Sequence, residues 1–141
     1  MCEDSMNAKS EDVALRPPAF DTAAARRSLE QKWAWERETN RKLWEKARRD
    51  AEAIVAMLAR KYAPRRIYQW GSVLDGKHFS RMSDIDIGVE GLEGGAERFF
   101  AMYGDAEALT RLPLDLVEME RIEPEFADII RMKAKVVYER T

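Results

Sequence analysis

The sequence predicts a small α/β (or α+β) domain, a sheet with helices on one face preceded by a long helix or helix pair. Three observations carry this expectation. Apolar residues recur at spacings of three and four between Leu43 and Tyr62. Two later stretches alternate apolar and polar residues with a period of two. Segments of helical character separate those strands, an order that lets helices cover a small sheet.

Residues 1–20 are polar and acidic, contain Pro17-Pro18, and read as a flexible tail. Asp21-Thr22 offers a helix cap. The segment 21–64 is helical, with Leu43, Trp44, Ala47, Ala51, Ile54, Val55, Leu58 and Tyr62 on one stripe. A single helix of about 40 residues exceeds the usual length, so either a break, with Thr39-Asn40 as its place, or a projecting N-terminal arm is expected. Ala63-Pro64 ends the helix. The remainder, 65–141, reads as the core, the whole forming one domain. Its elements are a strand over 65–70, a short helix or turn from Ser72 to Gly76, and a loop from Lys77 to Ser83. A strand then spans Asp84–Glu90, a helix Ala96–Leu109, a strand Pro113–Met119 and a helix from Pro124 to about Met132. Lys135–Tyr138 is a short strand or tail.

Composition excludes several classes. The chain has 141 residues, 45% apolar and 35% charged, which is ordinary for a globular protein. One cysteine, Cys2, builds neither a disulfide framework nor a zinc cluster, which fits a reducing compartment. No apolar run approaches the roughly 20 residues of a membrane span, and Met1–Ser10 lacks the apolar core of a signal peptide, so a cytoplasmic protein is expected. Charge is uneven. Between Asp21 and Arg66 thirteen basic residues face seven acidic ones; between Ile67 and Thr141 nine face fifteen. Such a basic helix is either a solvated face or an attractor for an anionic partner. No nucleic-acid-binding motif is present.

The chemistry concentrates between Ile67 and Leu92, IYQWGSVLDGKHFSRMSDIDIGVEGL. Gly71-Ser72 closes one apolar run, and Asp84-Ile85-Asp86 opens the next. Alternate side chains of a strand share a face, so Asp84 and Asp86 stand together while Ile85, Ile87 and Val89 turn to the other side. Like charges so placed repel unless a cation lies between them, and oxygen ligands favour a hard one such as magnesium. The glycine permits close backbone approach to a phosphate. Asp115, in PLDLVEM, is a third carboxylate on an apolar strand, where an unpaired charge is costly. If its strand lies beside Asp84–Glu90, the three carboxylates surround one place, the arrangement two divalent ions need to clamp a nucleoside triphosphate. The competing reading is a set of polar strand-end residues satisfied by loop amides.

Gly-Ser, a spacer and Ser-Asp-Ile-Asp-Ile, with eleven residues between Ser72 and Asp84, together resemble the nucleotidyltransferase superfamily related to DNA polymerase beta. VEGL and PLDLVEME are similar to the minimal nucleotidyltransferases of bacteria and archaea, over about Arg65 to Tyr138. Many minimal members have an arginine soon after Gly-Ser and a ten-residue spacer; this chain has Val73 and eleven. The resemblance implies a small mixed sheet, the palm-like polymerase beta fold. It implies catalytic, metal-holding roles for Asp84, Asp86 and Asp115, and nucleotide or phosphate contacts from Gly71, Ser72 and Ser83. It also implies ATP as substrate, two Mg2+ ions (or Mn2+), and transfer of AMP to a hydroxyl. Minimal members of the antitoxin type pair with a small helical HEPN toxin and modify its tyrosine, so a protein partner and a homo- or hetero-oligomer are expected. A non-catalytic module that binds nucleotide and holds a helical partner is the alternative. His78, Lys77 and Arg81 are weaker phosphate candidates; Trp44 and Trp70 read as packing, and an exposed Trp33 or Trp35 as a partner surface.

Overall fold

The computed structural model describes residues 19–141. The expected acidic tail, with Cys2, falls outside the described residues but for Ala19 and Phe20, which are exposed. Packing divides the chain into two units, Met1–Trp35 and Glu36–Thr141.

Helix α1 spans Thr22–Met57 without the break expected at Thr39-Asn40. The backbone N–H of Ala24 donates to Asp21 Oδ1 at 3.0 Å, the N-cap anticipated from the sequence. No glycine or proline interrupts the run. Thr39 and Asn40 cost only a few tenths of a kcal/mol each as weak helix formers. Arg41 offsets this by binding Glu38 one turn before it and Glu45 one turn after. In the unit Met1–Trp35 the helix carries exposed Leu29, Trp33 and Trp35. The end of the helix widens into one π-helical turn, Leu58–Tyr62. Ala63 then adopts the left-handed conformation (φ 45°), its N–H donating to the Leu58 carbonyl, and Pro64 prevents continuation.

The unit Glu36–Thr141 holds the sheet. Its elements are β1 (Arg66–Trp70), α2 (Ser72–Asp75), β2 (Ile85–Glu90), α3 (Gly95–Glu107), β3 (Leu114–Glu118), α4 (Pro124–Lys133) and β4 (Lys135–Glu139). The strand order is β3-β2-β1-β4. β1 runs antiparallel to both β2 and β4, and β2 runs parallel to β3. A parallel neighbour needs a crossover, which α3 supplies. The segment 135–138, ambiguous in sequence, is thus a genuine strand on β1.

One face carries the main core. Ala47 and Ile54 of α1 and Leu58 of the π-helical turn pack with Ile67, Ile85, Ile87, Val89 and Leu116 of the sheet and Met102 and Ala106 of α3. Ile85, Ile87 and Val89 are fully buried, as period-two alternation requires. α4 adds a helix to the opposite face. Ala127 and Ile130 pack against Tyr68 and Met119, on the side of β2 that bears Asp86 and Gly88.

Glu90, the last residue of β2, anchors α4. It is buried, and its carboxylate accepts from Arg131 Nη2 (2.7 Å) and Nε (3.1 Å), Arg65 Nη2 (3.0 Å) and the Tyr68 hydroxyl (3.3 Å). Burial pushes this carboxyl up, but the bonds from Arg131 and Arg65 outweigh it and hold it below the ordinary 4.5. The group therefore stabilises the fold above about pH 4.5, and that stability is lost as pH falls through its lower folded value. Glu90→Ala should cost about 2 kcal/mol, less than the 3–5 kcal/mol of a fully buried pair, because both arginines can turn to water. Urea melts at pH 7 and pH 3.5 check it: the gap between wild type and variant should narrow at the lower pH.

Candidate active site at the strand ends

β1 ends at Trp70, and Gly71 follows with φ 85° and ψ −172°, a backbone region open to glycine. A methyl group there would overlap Asp86 Oδ2, so the turn passes directly beside this carboxylate. Ser72 opens the short helix α2, which Gly76 closes in the left-handed region with its N–H on the Ser72 carbonyl at 2.9 Å. α1 holds this turn from below. The Trp44 indole N–H donates to the Val73 carbonyl at 2.8 Å, and its ring fills the place of a side chain at Gly76. Trp44 is thus packing, as the sequence suggested, but packing that fixes the Gly-Ser turn.

The loop to β2 is tied by Ser83. Its hydroxyl accepts from the Ser80 N–H (3.0 Å), and its own N–H donates to the Ser80 carbonyl (3.1 Å). Asp84 follows, exposed, and the Ile85 N–H joins the Pro113 carbonyl at 2.9 Å. That bond brings the starts of β2 and β3 together, and Asp86 pairs with Asp115 in register. On the other side Asp86 pairs with Trp70. The three carboxylates and the Gly71 turn therefore lie toward the same end of the central strands. Tyr103 of α3 supports β3 there, its hydroxyl donating to the Leu114 carbonyl at 2.6 Å.

Asp86 feels this crowding most. Burial, then the charges of Asp115 and Asp84, push its carboxyl up from 3.8 to about 6. A carboxylate so destabilised, with two acidic neighbours and hard oxygen donors, suits a divalent cation. Among the described residues, however, no three acidic, histidine or cysteine side chains close around a single point. The donor chemistry fits such an ion, while the side chains themselves do not form a finished cage.

Next to Gly71-Ser72 lies a cavity of about 450 Å3 whose wall includes Trp70, Leu74, His78 and Lys133. Gly88 gives the Trp70 ring its seat, for a Cβ at 88 would stand 3.1 Å from it. Of the weaker phosphate candidates, His78 reaches this cavity; Lys77 lines a separate depression with Arg37, Arg41 and Trp44. Lys133 was not foreseen. Nothing local marks it, since only the packing of α4 on the sheet carries it there.

A mixed four-strand sheet with a Gly-Ser turn against an acidic strand pair is the frame of a nucleotidyltransferase fold. Residues 52–141 match the family described as Polymerase beta, Nucleotidyltransferase, and the chain belongs to that family. No curated protein resembles the chain in sequence. A solved structure described as a crystal structure of a toxin–antitoxin with AMP-PNP shares the fold, with a TM-score of 0.51 and 20% identity. The match covers 64% of this chain and 74% of that one. Among the described residues no helix is long and apolar enough to cross a membrane.

Proposed function

We propose that this protein is a nucleotidyltransferase of antitoxin type, moving AMP from ATP to a tyrosine hydroxyl of a small helical HEPN partner. The observation that carries the reading is the register of Asp86 against Asp115 beside the Gly71 turn. AMP-PNP in the toxin–antitoxin neighbour is consistent with a nucleotide here. Asp84 and Asp86 would hold one Mg2+ (or Mn2+), and Asp115 would help hold the second. When bound, these ions neutralise triphosphate charge and acidify the attacking hydroxyl.

The residues of the chain do the rest. Gly71 and Ser72 receive the outer phosphates, and Ser83 fixes the approach to Asp84. The acceptor oxygen bonds to the α-phosphorus. The bond from that phosphorus to the bridging oxygen breaks, and pyrophosphate leaves with the electron pair. Asp115 takes the proton of the hydroxyl. Rate enhancement comes mainly from positioning and charge neutralisation. On this reading the protein works in the cytoplasm, paired with its partner.

Incubation with ATP labelled at the α-phosphate, magnesium and the helical partner tests the proposal. Label should move to the partner, and Asp84→Asn should abolish transfer by at least about a thousandfold, the order lost when a major charge-stabilising group is removed. The exposed Leu29, Trp33 and Trp35 support a second reading, a non-catalytic scaffold that grips its partner. Tight association without label transfer would favour it and overturn the first.

A further inference from the structure

We infer that Lys133 is a cation that recognises the polyphosphate of a nucleoside triphosphate from the side of the sheet opposite the main core. The inference rests on the nucleotidyl-transfer reading and deepens it by assigning a phosphate contact to a helix outside the Gly-Ser and aspartate strands.

The argument begins with charge. The strand ends gather Asp84, Asp86 and Asp115, and Asp75 stands in the adjacent cavity. A triphosphate brings further negative charge to this place. Ions between the aspartates answer one end of it; the end resting on Gly71-Ser72 needs a cation of its own. The cavity beside that turn contains one lysine, Lys133, together with His78. Asp75 Oδ1 accepts the Lys77 backbone N–H at 3.0 Å, and Asp75 makes no ion pair with Lys133.

Placement supports the same conclusion. Lys133 ends α4, and both sides of it are anchored. Two residues earlier, Arg131 grips the buried Glu90 with two nitrogens. Ile130 is buried against Tyr68 and Met119. Just after it, the Ala134 N–H donates to the Ile130 carbonyl at 2.7 Å, and Lys135 pairs with Gln69 of β1. Lys133 therefore projects from a rigid helix–strand corner. Among the described residues it forms no ion pair. An unpaired ammonium carried on this anchored backbone beside a glycine turn is free to take an anion as its partner.

Calorimetric titration of the full chain with ATP and magnesium, and separately with adenosine, tests the assignment in wild type, Lys133→Gln and Lys133→Arg. Lys133→Gln should weaken ATP about tenfold and leave adenosine within twofold of wild type. Lys133→Arg should recover most of the ATP affinity, because charge rather than shape is being read. The exposed position predicts an unchanged melting temperature, which a thermal melt verifies. Equal ATP affinity in wild type and Lys133→Gln overturns the inference and leaves the transfer reading standing. Equal weakening of ATP and adenosine also overturns it, since the residue would then act on the cavity wall. Failure of wild type to bind ATP overturns both.

Discussion

Asp86→Asn should abolish nucleotidyl transfer and, in the same protein, raise the melting temperature. The carboxyl is lifted from 3.8 to about 6 by burial and by Asp115 and Asp84, so its ionised form opposes folding. Taken at face value this is about 3 kcal/mol at 1.36 kcal/mol per pKa unit. Partial exposure to solvent reduces it to about 1 kcal/mol. Asparagine removes the charge while keeping the shape, and should add roughly 4 °C in cation-free buffer. The sign with pH follows. The folded protein holds this proton more tightly than the unfolded chain, so the penalty is full above about pH 6. It is lifted as pH falls from about 6 toward 3.8. Wild type should thus gain on the variant in that window in cation-free buffer, and transfer should weaken as pH falls because protonation of Asp86 competes with the cation it would hold. Paired melts and transfer assays from pH 5 to 8 read both effects. An Asp86→Asn variant less stable than wild type in the absence of divalent ions would contradict the account.

Gly71→Ala should reduce transfer by at least about a hundredfold and cost about 2 kcal/mol. Backbone at φ 85° and ψ −172° is essentially closed to residues with a Cβ, a strain of 1–3 kcal/mol. The added methyl would also overlap Asp86 Oδ2. Relief requires the turn or the carboxylate to move, and a displacement of about 1 Å at a catalytic group can cost a hundredfold. Gly104→Ala is the contrast: it lies in α3 with open space around it, and should be neutral or stabilising by up to about 1 kcal/mol. Urea melts and single-turnover transfer rates compare the two. Equal losses in both variants would refute the local explanation.

The strands and the positions of their carboxylates were legible because period-two alternation is a local signal. Ile85, Ile87 and Val89 declare one face, and Asp84 and Asp86 necessarily take the other. The pairing of Asp115 with Asp86 required one more assumption, that β3 lies beside β2, and the register satisfies it. The course of α1 was less legible. Thr39 and Asn40 are weak helix formers, but Arg41 binds glutamates on both sides and the helix continues. α4 on the aspartate face and Lys133 in the cavity were not legible at all. Their positions depend on Ile130 meeting Tyr68 and on Arg131 meeting Glu90, contacts between distant parts of the chain that no local pattern records.

Trp44 and Gly76 have a consequence for how this turn can evolve. The ring occupies the space that any side chain at 76 would require. The two positions are coupled, and their substitution effects should not add. A lineage that enlarges residue 76 must first shrink residue 44, and in doing so gives up the indole bond to Val73. The reverse order passes through an ill-fitting intermediate, and in either order a side chain at 76 carries the strain of its left-handed backbone (φ 70°).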